Sequence, residues 1–500
     1  MFTQPFKQIF LLLFSLLSAL LGSQGFAPQL AQAEATSQVV THPSAKANTA
    51  EYAIAYVGPS RENQQIRLIN PDGSHDRLLW QTPTNVARQD GIGELSWRSD
   101  SSELAFDSGH DWERSLLLRD IYSIAPDGTH LHRLTRPPAA DDAERYPTGN
   151  VTFWLNSHAS GDVQLYIEGA DVPIKFSAQT GYSYQITTTV ADLGANVRQY
   201  VRLYDPSSVH SNWCYYDEEA WVDVIAGATI DVGAIPFRAA DDMTCPQTLR
   251  PSWIAQSNEL FYLYAEASTL AFQADNNIWQ MNGDAPVTTM GERVLDYHQY
   301  LLEGRLFLVK AGPAAAADQL LAVVRQKPGF SDIFLAPIAD PGQRQFFNLG
   351  SCPLYCDVAG LAWLPDGSGF VFSRFEKWIG AGEIESKSVI YRYTFADQLM
   401  TPLYEIANQA IGRLDISPDG SQIIYEQSGL FDETTGNYWL EPLLSCPCQL
   451  WIMNSDGSDA HLFVEDGRAP AWSPTTVPEI PPLPDPTPAT AAIYLPFVLR

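Results

Sequence analysis

Asp415-Ile416-Ser417-Pro418-Asp419-Gly420-Ser421-Gln422-Ile423-Ile424-Tyr425 reads as a short apolar strand, a tight Ser-Pro-Asp-Gly turn and a second short apolar strand. Proline presets φ at the second turn position, aspartate bonds the backbone ahead of it, and glycine accepts positive φ. One such hairpin cannot bury both faces, so it requires copies of itself as neighbours. One copy runs from Leu95-Ser96-Trp97 into Glu103-Leu104-Ala105-Phe106, and another from Pro251-Ser252-Trp253 into Glu259-Leu260-Phe261-Tyr262. A third runs from Ala362-Trp363-Leu364-Pro365-Asp366-Gly367 into Gly369-Phe370-Val371-Phe372. A second apolar unit ending in Asp-Gly follows most copies, at Ile66 to Gly73, Ile121 to Gly128 and Leu450 to Gly457. Four short strands per unit, recurring every few tens of residues, predict a β-propeller.

Counting predicts six blades: 468–474 with 51–82, then 94–135, 249–290, 294–350, 357–406 and 410–467. The fourth is the least regular, with only Arg305 to Val309 and Asp332 to Pro337 convincing as strands. The first lacks its innermost strand. Arg468-Ala469-Pro470-Ala471-Trp472-Ser473-Pro474 has the strand-one motif with no second strand behind it, so it is expected to complete blade one. This velcro closure removes edges that would otherwise template aggregation.

The chain has 500 residues, 45% of them hydrophobic and 12% aromatic, as a packed protein requires. Its 58 Asp+Glu against 30 Lys+Arg give a formal charge of −28. Such a surface repels nucleic-acid phosphates and anionic lipid, so neither is an expected partner; acidity of this kind keeps an exported monomer soluble. Residues 1–33 have Lys7, an apolar run from Ile9 to Leu21 and Ala31-Gln32-Ala33, the pattern of a signal peptide rather than a membrane span. Cleavage after Ala33 would place the protein outside the cytoplasm, secreted or in a bacterial envelope.

Six cysteines in an exported chain favour disulfides. Cys214 and Cys245 pair by isolation, and Cys352 and Cys356 either close a small loop or cross-link to Cys446 and Cys448. Cys-x-Cys is a poor zinc spacing. His130 and His132 share one strand face without further ligands in view, and no calcium-loop pattern occurs, so no metal or other cofactor is expected.

Residues 34–50 form a polar lead-in to blades one and two, which occupy 51–136. Residues 137–248 interrupt the repeats with strand candidates Val151–Leu155, Val163–Ile167, Tyr182–Thr187, Val197–Tyr204, Trp221–Ile225 and Thr229–Ile235. Alternation and β-branched content suggest a small inserted β-sandwich. Its Ile167-Glu168-Gly169-Ala170 and Thr180-Gly181-Tyr182-Ser183-Tyr184 resemble transthyretin-like modules of secreted carboxypeptidases; a carbohydrate-binding sandwich is the alternative. Blades three to six and the closing strand fill 249–474, and 475–500 hold a proline-rich linker and a short apolar tail.

The unit Pro-x-Trp-Ser-Pro…Asp-Gly, followed by Ile-x-x-Ile/Met-Asn-x-Asp-Gly and the Leu134-Thr135 ending, resembles the WD40-like repeats of TolB-type propellers. The resemblance implies that fold, without the mixed α/β domain that precedes it in TolB. Prolyl oligopeptidase propellers look similar but precede an α/β-hydrolase domain, and no Gly-x-Ser-x-Gly occurs here.

Repeat grammar puts the short Asp-Gly turns on one face of the disc and the long connections on the other. The long ones are Asp107 to Arg119, Ala311 to Ser331, Arg374 to Lys387 and Ser428 to Cys448. They carry Trp112, Glu113, Lys377, Trp378, Tyr438 and Trp439, aromatics interleaved with polar groups that suit protein hot spots and sugar stacking. Arg250 and Arg468, at the starts of inner strands, line the channel mouth or pair with acidic loops. Trp97, Trp253, Trp363 and Trp472 occupy equivalent positions and are expected to pack between blades. The favoured function is non-catalytic binding of a protein or cell-envelope polysaccharide through the long-loop face. The alternative is a glycan-active propeller enzyme, a polysaccharide hydrolase or lyase. Carboxylates or histidines gathered at the channel mouth would favour the enzyme.

Overall fold

The turns follow from their own side chains. Asp419 Oδ1 accepts the Ser421 N–H at 3.0 Å and its hydroxyl at 2.7 Å, while Gly420 turns the chain at a φ of 72°. Asp100, Asp127, Asp366 and Asp456 repeat the bond to the N–H two residues on. A hairpin turn that caps itself in this way fixes the register of the strands on either side.

The computed structural model describes residues 52–58, 64–83, 91–110, 117, 119–135, 147–156, 161–167, 174–179, 181–192, 199–204, 220–236, 244–268, 274–282, 292–295, 305–313, 320–327, 329–340, 343–351, 354–380, 383–428 and 448–477. The chain is all-β, with no helix among the described residues.

Strands β1 (Ile54–Gly58), β2 (Gln65–Ile69) and β3 (Arg77–Gln81) open the first sheet. Strands β4 (Ile92–Trp97), β5 (Leu104–Ser108), β6 (Asp120–Ile124) and β7 (His132–Arg133) form the second. The interrupting segment supplies β8 (Thr148–Asn156), β9 (Gly161–Ile167), β10 (Ile174–Ala178), β11 (Ser183–Ala191), β12 (Gln199–Tyr204), β13 (Ala220–Val222) and β14 (Thr229–Pro236). They make two sheets, β10-β9-β12-β13 and β11-β8-β14, with β14 parallel to β8. Strand β10 was not among the sequence candidates.

Strands β15 (Thr244–Trp253), β16 (Glu259–Ser268), β17 (Ala274–Asn282) and β18 (Glu292–Leu295) follow as one sheet. Next come β19 (Arg305–Ala311), β20 (Leu320–Lys327), β21 (Phe330–Pro337) and β22 (Gln345–Phe346). Strand β20 lies where the sequence suggested a long connection from Ala311 to Ser331. Strands β23 (Tyr355–Trp363), β24 (Gly369–Gly380), β25 (Glu383–Thr394) and β26 (Leu399–Ala407) join that run through a single parallel bridge, Phe330 to Cys356. Strands β27 (Ala410–Ile416), β28 (Gln422–Ser428), β29 (Cys448–Asn454) and β30 (His461–Val464) form another sheet. The last strand, β31 (Arg468–Trp472), pairs antiparallel with β1, Trp472 opposite Ile54.

The strands that begin each four-stranded run touch in the cyclic order β31, β4, β15, β19, β23, β27, and β27 returns to β31. Apolar side chains fill the gap at every step. Leu95, Phe106 and Tyr122 pack on Ala55, Leu68 and Ala471; Trp253 and Tyr262 pack on Ala105 and Leu134. Phe334 and Val323 meet Phe261, and Trp363, Phe370 and Phe372 meet Ile333 and Leu335. Tyr425 and Met453 meet Val371 and Ile390, and Ile54 and Trp472 close the circuit against Ile424 and Leu450. Trp97, Trp253, Trp363 and Trp472 are all buried in these inter-sheet layers.

Gly360 shows how closely the inner strands approach. A Cβ there would lie 2.6 Å from the Gly412 carbonyl oxygen and 2.9 Å from the Arg413 Cα, both backbone atoms of β27. Gly360→Ala is therefore expected to cost about 2–3 kcal/mol through forced separation of β23 and β27, read as a lower urea midpoint.

Candidate functional site

The inner strands share an irregularity. Each slips register at one place: between Ile92 and Leu95 in β4, Leu249 and Ser252 in β15, Leu306 and Leu308 in β19, Val358 and Gly360 in β23, Ile411 and Leu414 in β27. In β31 the same slip falls at Ala469-Pro470. A bulge re-aims the side chain it contains. Here the bulges hold Glu94, Arg250 and Arg413, and Arg250 accepts a φ of 58° that is unusual outside glycine.

Second-strand side chains clasp the bulge of the next sheet. Asp107 Oδ1 accepts the Arg250 N–H at 3.1 Å, Ser373 Oγ donates to the Gly412 carbonyl at 2.7 Å, and Glu426 Oε2 accepts the Ala469 N–H at 3.4 Å. A further clasp lies two residues beyond the bulge. Ser96 Oγ accepts the Trp253 N–H at 3.1 Å, Ser252 Oγ the Ala311 N–H at 2.9 Å, and Asp415 Oδ2 the Trp472 N–H at 2.7 Å.

The charges meet among these clasps. Arg413 Nε donates to Glu94 Oε1, although the two lie 319 residues apart, and its Nη1 is 3.5 Å from Glu426 Oε2. Lys310 Nζ, from a third sheet, is 3.9 Å from Glu94 Oε2. Arg119 holds Asp107 by two bonds of 2.7 and 3.0 Å, and the Arg250 guanidinium covers the Phe307 ring at 3.8 Å. Three carboxylates thus gather on the inner strands and their neighbours through shared cations rather than by contact with one another.

Their surroundings drive two carboxylates apart. Burial works to raise Glu94, but Arg413, Lys310 and Arg250 outweigh it and hold the carboxyl down at about 2. Burial pushes Asp415 up to about 6, with Lys310 and the Trp472 and Ile416 N–H bonds pulling the other way. Burial also raises Glu426, against Arg413 and Arg468. Asp415 stands where β4 and β15 place Ser96 and Ser252. A hydroxyl suffices for that clasp, so the ionisable group is an addition the fold does not require.

Of the residues singled out from sequence, Arg250 and Arg468 join this cluster, both buried. Lys377 and Trp378 do not, and they are not in a loop. They sit in β24, which pairs with β25 out to Gly380 opposite Glu383, and Lys377 also lies opposite Tyr355 of β23. Lys377 lies over the Phe375 ring at 5.6 Å and Lys387 over the Trp378 ring at 5.8 Å, so the Trp378 face already carries a cation. Trp112, Glu113, Tyr438, Trp439, Cys214, Cys352 and Cys446 lie outside the described residues, as does the side chain of Cys245. Cys356 and Cys448 are disulfide-bonded. His132 Nδ1 is 2.8 Å from the His130 carbonyl oxygen, and no group of three potential metal ligands occurs among the described residues. No helix of the described residues is long and apolar enough to cross a membrane.

Sequence reading passed over Glu94, Lys310, Arg413, Asp415 and Glu426. The available signal was positional: Ile92-Gly93-Glu94-Leu95 and Ile411-Gly412-Arg413-Leu414 put opposite charges at one repeat position inside apolar strands.

No family model matches the chain, and no curated protein matches it. Solved structures do. An oligogalacturonate lyase in complex with manganese is similar at 12% identity and a TM-score of 0.34, over 82% of this chain and 83% of that one. A puromycin hydrolase S511A mutant is similar at 10% identity and a TM-score of 0.37, over 84% of this chain and 53% of that one. The Dos1 propeller is similar at 12% identity and a TM-score of 0.29, over 73% of this chain and 72% of that one. The chain spans about half the length of the puromycin hydrolase. These neighbours are β-rich and propeller structures, and enzymes stand prominently among them, so the expected non-catalytic binder is withdrawn. At these TM-scores the likeness transfers no activity.

Proposed function

We propose that this chain is an exported six-bladed propeller, closed by β31 and carrying a β-sandwich insertion at 137–248, that works as a glycan-active enzyme. The observation that carries the reading is the pair Glu94 and Asp415. They are coupled to each other and to Lys310, one held ionised and the other titrating at about 6. Carboxyl groups driven apart by their surroundings are how one site supplies an anion and a proton donor at the same pH. Asp415 is the proposed acid, partly exposed on its inner strand; Glu94 is the anion that stabilises developing positive charge, and Lys310 orients both. Arg250 and Arg413 add the positive field that would hold uronate or hydroxyl groups of a polysaccharide.

The test is incubation of the purified protein with neutral and uronate-containing polysaccharides. Reducing ends are followed together with the ultraviolet absorbance of an unsaturated uronide, which separates hydrolysis from elimination. Cleavage is expected to fall about 100-fold or more in Asp415→Asn, within the usual range for loss of a general acid. Cleavage unaltered in both Asp415→Asn and Glu94→Gln, or none on any substrate, would remove the reading.

A further inference from the structure

A buried guanidinium is left half unanswered. Arg468, at the start of β31, is 0% exposed. Its Nη2 donates to Gln64 Oε1 at 2.7 Å and to the Ile92 carbonyl at 2.5 Å. Its Nε and Nη1 have no hydrogen-bond partner among the described residues. Arginine stays protonated in proteins, so an enclosed guanidinium edge without an acceptor calls for an anion.

The neighbouring carboxylates are engaged elsewhere. Asp107 accepts two bonds from Arg119 and the N–H groups of Glu94 and Arg250. Glu426 Oε2 is shared by Arg413 and the Ala469 N–H. Arg413 and Arg119 both bear unfavourably on Arg468, and burial with Arg413 brings its guanidinium down to about 9 against the pull of Glu426.

We propose that Arg468 Nε and Nη1 hold one small monoanion, of halide or carboxylate chemistry, which answers the enclosed guanidinium edge at the start of β31. The enclosed edge selects a small ion over a polymer. This site is separate from the proposed acid and does not depend on the enzymatic reading.

The probes are chloride, bromide, acetate and glucuronate, each titrated at constant ionic strength against a bulky organic sulfonate while the melting temperature is followed. A saturable rise of roughly 2 °C or more is expected with at least one probe, and none in Arg468→Met. Chloride and bromide alone would identify an inorganic ion; acetate or glucuronate acting equally would identify a carboxylate. Should Arg468→Met not fold, a bromide-soaked crystal of the unaltered protein decides, with an anomalous peak expected beside Arg468 Nε and Nη1. No saturable rise with any probe and no such peak, or a rise that persists in Arg468→Met, would overturn the assignment.

Discussion

Glu94→Gln is expected to lower the unfolding free energy by about 3 kcal/mol or more, the largest effect of any single change considered. The bulge in β4 delivers this carboxylate to Arg413 of β27 and Lys310 of β19; Glu94 and Arg413 are buried and Lys310 is partly exposed. A surface pair would contribute little. Here the amide leaves Arg413 with Glu426 at 3.5 Å and takes from Lys310 the carboxylate 3.9 Å away. The penalty is the desolvation of cations that have lost their counter-charge. Urea unfolding at pH 7 measures it, and a loss below about 1 kcal/mol would mean that water already screens the site.

The second large effect is a stability that changes with pH in opposite senses for two carboxyls. Asp415 titrates at about 6 in the folded chain, above its ordinary 3.8, so the protonated form favours folding. Its contribution is complete below about pH 4 and is lost as pH rises through 6, a penalty of about 2–3 kcal/mol by pH 8. Glu94 is held at about 2, below its ordinary 4.5. Its contribution is present above about pH 4.5 and is lost as pH falls through 2. The two together place their combined maximum near pH 4 to 4.5, with stability falling from there towards pH 6. Asp415→Asn keeps an acceptor for the Trp472 N–H while removing the charge. The variant is expected to be more stable than the parent at pH 8, by about 2–3 kcal/mol, and no more stable at pH 4. Urea midpoints at pH 4, 6 and 8 check this; parallel profiles for parent and variant would show that Asp415 is not the titrating group.

The Asp-Gly turns and the equivalent tryptophans made the repeating architecture legible, because both are local devices. Asp419 and Gly420 build their turn from adjacent atoms, and Trp363 and Trp97 each fill an inter-sheet layer for the same reason of size. Strand β20 was hidden because the alanine run 314–317, with Gly312-Pro313 before it, reads as a long connection, and Leu320 to Lys327 carries no Asp-Gly repeat turn. The segment around Trp378 reads as a loop because Glu376-Lys377-Trp378-Ile379 shows no polar/apolar alternation, and pairing with β25 carries β24 through it to Gly380. The charge cluster was the least legible part. Glu94 and Arg413 meet only because sheets separated by most of the chain come together, and no local pattern encodes a contact across 319 residues. What the chain does encode is the place, a Gly-charge dipeptide inside an apolar strand, and such a break in an otherwise consistent pattern marks where function is to be sought.

Whether one ion cluster joins the inner strands is most directly measured by a double-mutant cycle on Glu94→Gln and Arg413→Met, with unfolding free energies at pH 7. Removing both partners leaves fewer uncompensated charges than removing either, so the double variant should be no less stable than Glu94→Gln alone. A coupling of about 2 kcal/mol or more is the expected result. Losses that add to within about 0.5 kcal/mol would show that Glu94 and Arg413 do not meet, and would contradict the arrangement of inner strands described above.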